Sequence, residues 1–318
     1  MNLYNLITAV FIFSYSLAIS QAKVPAMFRW QDKQAKKHVN KYLHHDTLLK
    51  TSEATLHISY NNDTLKPYLL LIHGMGANAR SNWYKQIKPL SKKFNLIMPD
   101  LIYFGESTSL TQNVSVEFQA QQINEAILKL GITSKINVMG FSYGGLTAAM
   151  YNELFYNQVN KLIIIDGPVK FFSGKMADSL AKCIGVNCMN NVIVPGTIEE
   201  FDGMQKAVMS SPFPMTKKLK RKIITHFFEP SKYIRNKQMN YLIDHQATYQ
   251  NYTYNIDKTP TLLIWGGKDG VVPPSVGVSL NNAYPNTTKL IIYPNAKHDS
   301  HFRETKKLNK AVIQFITQ

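Results

Sequence analysis

The sequence predicts an α/β fold, with a mostly parallel central sheet flanked by helices on both faces. Two observations carry this. Short apolar runs such as Tyr68–Ile72 and residues 162–165 alternate with longer stretches of helical period. The runs are apolar along their whole length, as expected of strands buried on both faces of a parallel sheet. At 318 residues, with 45% apolar and 18% charged content, the chain suits one large α/β domain or a core with an insertion.

The elements follow in chain order. Residues 6–19 are almost continuously apolar, and Ser20-Gln21-Ala22 sets small residues before Lys23. Residues 1–22 therefore predict a signal peptide and an exported chain, periplasmic or secreted. The rival is an N-terminal membrane anchor, although the run is short for a span of ~20 residues. Residues 24–49 are basic and amphipathic and predict a helix lying on the body. Residues 55–60 and Tyr68–Ile72 predict strands, the second stopping at His73-Gly74-Met75-Gly76. A helix over 82–91 places Trp83, Ile87 and Leu90 on one face, with a bend expected at Pro89. A short strand over 96–98 ends in Pro99-Asp100, and 114–130 reads as a helix through Phe118, Ile123, Ile127 and Leu130. A strand over 135–139 runs straight into Gly140-Phe141-Ser142-Tyr143-Gly144-Gly145 and a helix over 146–156. Residues 162–165 form a further strand, with Asp166-Gly167-Pro168 behind it. Residues 261–265 and 289–292 predict the last strands, and 305–316 a closing helix. The alternation fails over 169–257, where Met, Phe, Lys and Tyr recur at helical spacing between prolines. This predicts a helical cap (169–257) inserted into a core made of 23–168 and 258–318.

The formal charge of +16 favours anionic surroundings, so an anionic membrane surface is one expected partner. The cations are scattered, however, and the densest run, Lys217-Lys218-Leu219-Lys220-Arg221-Lys222, also reads as a solvated helix face. No zinc-finger, RNA-recognition or helix-turn-helix signature is present, and no nucleic-acid partner is expected. Cys183 and Cys188 are the two cysteines. Without nearby histidines they make a poor zinc site, and their spacing leaves a local disulfide and two free thiols equally open.

The residues between strands 135–139 and helix 146–156 fit G-x-S-x-G. A sharp strand-to-helix turn exposes the serine, and small flanking residues let the backbone pass closely. Ser142 is thus a candidate nucleophile, and a serine hydroxyl needs a base. His298 lies in a loop after the strand over 289–292, with His301 as its competitor three residues on. The base needs a carboxylate to hold its tautomer, and Asp269 follows the strand over 261–265, with Asp166 and Asp299 as alternatives. The order Ser142, Asp269, His298 is that of an elbow serine on an α/β sheet. Two oxyanion donors are expected from the backbone of Tyr143 and of Met75, while His73 reads as a loop-orienting residue.

These motifs resemble those of the α/β-hydrolase superfamily from about Thr55 to the C-terminus. They are HGMG at 73–76, PDLIYFGES at 99–107, GFSYGG at 140–145, IWGGKDGVVP at 264–273 and NAKHDSHF at 295–302. Tyr103 departs from the pattern, where a glycine is usual. The resemblance implies a serine carboxylic-ester hydrolase, a lipase or esterase acting through an acyl-enzyme on a small-molecule or lipid ester, with no cofactor or metal. Ser142 argues against the aspartate-nucleophile branches. The PGTIEEFDGM stretch followed by SPFPM is similar to caps of monoacylglycerol-lipase-like and carbon–carbon-bond hydrolase members. Two alternatives follow: carbon–carbon-bond hydrolysis by the same residues, and an inactive binding protein of this fold.

Overall fold

The computed structural model describes residues 26–318 apart from Thr64, Ala77 and Phe213. The predicted signal peptide or anchor lies outside the described residues. The chain opens with helix α1 (Ala26–Tyr42) and strands β1 (His45–Lys50), β2 (Ala54–Tyr60) and β3 (Tyr68–Ile72). Helices α2 (Ala79–Asn82) and α3 (Tyr84–Ser91), strands β4 (Asn95–Pro99) and β5 (Thr108–Ser109), and helix α4 (Val116–Lys129) follow. Then come β6 (Ile136–Phe141), α5 (Tyr143–Phe155) and β7 (Val159–Ile165). Among the described residues nine strands make one sheet, ordered β1-β2-β4-β3-β6-β7-β8-β9 with β5 beside β2. Its last strands are β8 (Thr261–Gly266) and β9 (Thr288–Tyr293). Pairing is parallel from β4 to β9 and antiparallel among β1, β2, β4 and β5.

The apolar runs serve both faces because successive side chains point to opposite sides. Leu70, Ile72, Val138, Leu162, Ile164 and Leu263 pack on one face, under Phe118 and Ile123 of α4 and Leu146 and Met150 of α5. Leu69, Leu71, Met139, Ile163, Ile165 and Leu262 pack on the other, under Ile87 and Leu90 of α3 and Leu308 and Val312 of the closing helix.

Between β7 and β8 the described chain is helical: α6 (Gly174–Cys183), α7 (Met189–Ile193), α8 (Ile198–Val208), α9 (Lys217–Ile223), α10 (Lys232–Asp244) and α11 (Gln246–Asn251). After β8 come α12 (Pro274–Ala283), then past β9 the short α13 (Ser300–Arg303) and α14 (Thr305–Thr317). α8 opens on a capping box, in which the Thr197 side chain accepts from Glu200 N–H and the Glu200 carboxylate reaches back to the Thr197 N–H.

Two local expectations need correction. The helix expected over 24–49 stops at Tyr42, and His45–Lys50 is a strand antiparallel to β2. That strand is an exposed edge, so its sequence lacks the buried alternation that marks a strand. The helix expected from Asn82 begins instead at Tyr84, after a break at Trp83 between α2 and α3, and it runs through Pro89 to Ser91. Pro89 cannot donate to the Lys85 carbonyl, which instead accepts from Asn309 Nδ2 of α14 at 3.4 Å. The sequence also gave no sign of α12, which opens on the consecutive prolines Pro273 and Pro274.

Candidate active site

Ser142 follows β6 directly and precedes the first residue of α5, with φ 54° and ψ −124°. This is a strained conformation for a residue with a Cβ, costing about 1–3 kcal/mol. Its N–H donates to Ile165 C=O at 2.8 Å, and its C=O accepts from Gly145 N–H at 2.7 Å. The flanking glycines are sterically required. A Cβ on Gly140 would stand 2.0 Å from Gly144 O, and one on Gly144 would stand 2.3 Å from the carbonyl oxygens of Ile72 and His73.

The loop after β9 brings His298 Nε2 to 2.8 Å from Ser142 Oγ. The loop after β8 brings Asp269 Oδ2 to 2.7 Å from His298 Nδ1. Asp269 Oδ1 accepts from Val271 N–H at 2.7 Å and Val272 N–H at 2.9 Å, so both oxygens are committed. Both side chains are buried. Burial disfavours the imidazolium of His298, but the charge and hydrogen bond of Asp269 outweigh it, and the imidazole pKa is raised. The arrangement can therefore carry a proton from a serine hydroxyl to an imidazole whose positive form is already favoured.

The rival residues sit nearby in other bonds. His301 Nε2 lies 3.3 Å from Asn82 Nδ2, and its ring lies 4.0 Å from that of Phe141. Burial holds its pKa well below the usual range. Asp299 accepts from Ser210. Asp166 accepts from Gly266 N–H at 2.8 Å and from Ser300 Oγ at 2.5 Å. Burial, then the charge of Asp269, raises its pKa well above the ordinary carboxyl value. Side-chain atoms of Asp166, Asp269 and His298 all lie within 4.8 Å of one another, in reach of a single ion. The hydrogen bonds just described already engage them.

Tyr143 begins α5, where the first N–H groups have no intrahelical partner and point outward. Met75 and Ser142 both line two cavities, of about 90 Å³ and about 70 Å³. The larger runs past Leu146, Phe172, Met239 and Tyr249. The smaller runs past Met204, Phe228, His298 and Phe302. His73 donates from Nδ1 to Gly74 C=O at 2.8 Å and accepts at Nε2 from Leu101 N–H at 2.9 Å, fixing its tautomer and the Met75 loop.

One network was not singled out from the sequence. Asp100 accepts from Ala79 N–H at 2.8 Å and Glu106 N–H at 3.1 Å, and lies 2.9 Å from His57 Nδ1. His57 Nε2 lies 2.8 Å from Asp46. Burial opposes protonation of His57, but the two carboxylates prevail and raise its pKa to about 10. A His-x₄₂-Asp pair has no local pattern, and the signal available was a histidine on the buried side of a strand. Tyr103 adopts φ 74°, which accounts for the glycine expected there, and its hydroxyl donates to Asn113 C=O at 2.8 Å. Cys183 and Cys188 are free thiols.

A parallel sheet, a serine at a strand-to-helix turn and a histidine–carboxylate pair on later strand ends define a hydrolase of the α/β class. The chain belongs to the alpha/beta hydrolase fold family, whose model matches residues 67–305. It is 28% identical over 253 residues to Lipase 3 of Moraxella sp. (strain TA144), covering 77% of this chain and 75% of that one. It is 31% identical over 212 residues to Lipase 1 of Psychrobacter immobilis, covering 65% and 63%. It is 22% identical over 276 residues to a 2-hydroxy-6-oxononadienedioate/2-hydroxy-6-oxononatrienedioate hydrolase of Pseudomonas putida, covering 85% and 95%. Among solved structures, a membrane phospholipase A described as a bacterial virulence factor superposes with a TM-score of 0.75 at 22% identity, covering 92% and 90%.

Proposed function

We propose that the protein hydrolyses carboxylic esters through an acyl-enzyme on Ser142. The observation that carries this is the continuous line of hydrogen bonds from Ser142 Oγ through His298 to Asp269, opening onto apolar cavities. Ser142 Oγ attacks the ester carbonyl carbon as His298 Nε2 takes its proton. Asp269 holds the proton on Nδ1 and stabilises the imidazolium. The N–H groups of Met75 and Tyr143 meet the oxyanion, each worth roughly 3 kcal/mol in the transition state. His298 then protonates the departing alcohol. A water that gives its proton to His298 attacks the acyl carbon, releasing the acid and restoring the Ser142 hydroxyl.

The lipase relatives and the Met, Phe and Leu lining support a lipid or other apolar ester as substrate. Export follows from residues 1–22, and N-terminal sequencing of the exported protein that still found Met1 would refute cleavage after Ala22. Approach to an anionic membrane surface follows from the +16 charge and the exposed cations of α9. Anionic vesicles should co-sediment with the protein at low salt more than neutral ones, and equal binding removes the idea.

A fluorophosphonate probe tests the main reading. The wild type should label and Ser142→Ala should not, and equal labelling of both overturns it. The second reading, carbon–carbon-bond hydrolysis, is favoured by the Pseudomonas putida relative. A panel of p-nitrophenyl esters set against ring-cleavage products separates the two. A chain inert to probe and panel alike would favour the third alternative, an inactive binding protein of this fold.

A further inference from the structure

The end of α8 is pinned to both loops that carry the acid and the base. On the acid side, Gly270 N–H donates to Ala207 C=O at 3.3 Å. The approach is so close that a Cβ on Gly270 would stand 2.9 Å from Ala207 Cα. On the base side, the contact is made by Ser210, just past α8. Ser210 N–H donates to Asp299 Oδ2 at 2.9 Å, and its hydroxyl donates to Asp299 Oδ1. The same hydroxyl accepts from Lys297 N–H at 2.9 Å. Lys297 and Asp299 are the two chain neighbours of His298. One hydroxyl therefore ties the residue before the base and the residue after it, without a hydrogen bond to the imidazole or to Ser142.

The chemistry makes this tie directive. Asp299 is 6% exposed, and a carboxylate so far from water needs a donor on each oxygen. Ser210 supplies one to each, so the Asp299 backbone follows the helical segment to which Ser210 belongs. Asp299 C=O in turn accepts from the N–H groups of Phe302 and Arg303, at 2.9 and 2.8 Å, which carries the tie into α13.

We propose that Ser210 is a positioning residue: through Asp299 and Lys297 it sets where His298 stands, so the base is aligned when the helical segment between β7 and β8 is seated. The inference rests on the reading of His298 as the base for Ser142. Displacing a catalytic group by ~1 Å costs on the order of 10²-fold in rate, which sets the scale of the expected effect.

The test compares wild type, Ser210→Ala, Ser210→Thr, Asp299→Ala and the double variant Ser210→Ala/Asp299→Ala. The readings are the rate constant for phosphonylation of Ser142, kcat and KM on a soluble p-nitrophenyl ester, and Tm. Ser210→Ala should phosphonylate and turn over about 10–100-fold more slowly with KM nearly unchanged. Ser210→Thr, which restores the hydroxyl, should recover most of the loss. The double variant should be no worse than the poorer single, because both act through one contact. Wild-type rates in Ser210→Ala, no recovery in Ser210→Thr, or additive losses would each overturn the proposal. Should Ser210→Ala fail to fold, Asp299→Ala probes the same contact from the other side, by removing both oxygens that accept from Ser210. A normal rate there overturns it equally. Failure of the wild type to label marks failure of the underlying reading instead.

Discussion

Asp269→Asn separates the catalytic share of this side chain from its structural share. Asp269 divides its oxygens, with Oδ1 on two backbone N–H groups and Oδ2 on His298 Nδ1. In the amide variant the oxygen must keep the Val271 and Val272 donors, since turning the group would set NH₂ against two N–H groups. Nδ2 then faces His298, whose Nδ1 has to accept. The ring proton moves to Nε2, so Ser142 Oγ meets a donor where it needs a base. Stability should change by less than about 1 kcal/mol, because shape and two of three bonds survive. Activity should fall about 10⁴-fold, the cost of the wrong tautomer, or roughly 5 kcal/mol of activation free energy. Asp166 softens this little. Relieved of its charged neighbour it ionises more readily, and a charge at the 4.8 Å limit is worth about 3–4 kcal/mol at an effective dielectric near 20. Its oxygens are held by Gly266 and Ser300, however, so it can stabilise an imidazolium but cannot correct the tautomer. The assay is kcat/KM on a p-nitrophenyl ester beside a urea melt. An Asp269→Asn protein with unchanged stability and more than a tenth of wild-type activity would refute the assignment.

Other expectations follow from the same charges. The base must be neutral to act and its pKa is raised, so the acidic limb of kcat/KM should fall above pH 6.5, and a midpoint below it contradicts the shift. His57 has a folded pKa of about 10 against 6.5 for the free side chain. Its contribution is thus full below about pH 6.5 and lost as pH rises through about 10. His57→Gln should destabilise by a few kcal/mol at pH 6 and by much less at pH 10 in paired chemical melts, and a pH-independent difference sinks this account. Asp46, lowered to about 2 chiefly by its hydrogen bond to His57, shares that interaction and adds no separate increment. Arg235 of α10 is buried, with Nε and Nη1 lacking hydrogen-bond partners among the described residues, and its guanidinium lies 5.6 and 5.9 Å from the rings of Phe104 and Phe228. Burial lowers its pKa to about 10. Arg235→Met should raise Tm by a few degrees, since an unpaired buried charge costs more than two cation–π contacts return, and a lowered Tm contradicts that balance.

The sequence made the centre of the sheet legible because buried parallel strands are written as unbroken apolar runs. β3, β6 and β8 are recognisable in YLLLI, INVMGF and TLLIWG. The edges were not legible. β1 is exposed and polar, and β5 is two residues long, so neither carries a burial pattern. The residues that meet at Ser142 could be named because each ends a strand whose apolar run is itself visible. The Ser210–Asp299 contact joins positions 89 apart with no periodicity between them, so sequence alone offered no route to it.

Backbone strain gives an independent view of the same place. Six described non-glycine residues have positive φ, and three of them, Tyr103, Ser142 and Asp166 at 74°, 54° and 49°, follow β4, β6 and β7; the others are Lys170, Tyr254 and Asn255. Such conformations persist only where the surroundings over-determine them. At Ser142 the restraint is visible in sequence, because Gly140 and Gly144 are the residues a close turn demands. At Asp166 it is not, since its N–H bond to Ile264 C=O and its carboxyl bonds to Gly266 and Ser300 come from β8 and from beyond β9. Asp166 therefore fastens the strand end beside Ser142 to the strand that carries Asp269 and to the segment that follows His298. The sheet supplies three parallel strand ends, and this buried carboxyl ties them at the spacing that hydrogen bonds among serine, imidazole and carboxylate require.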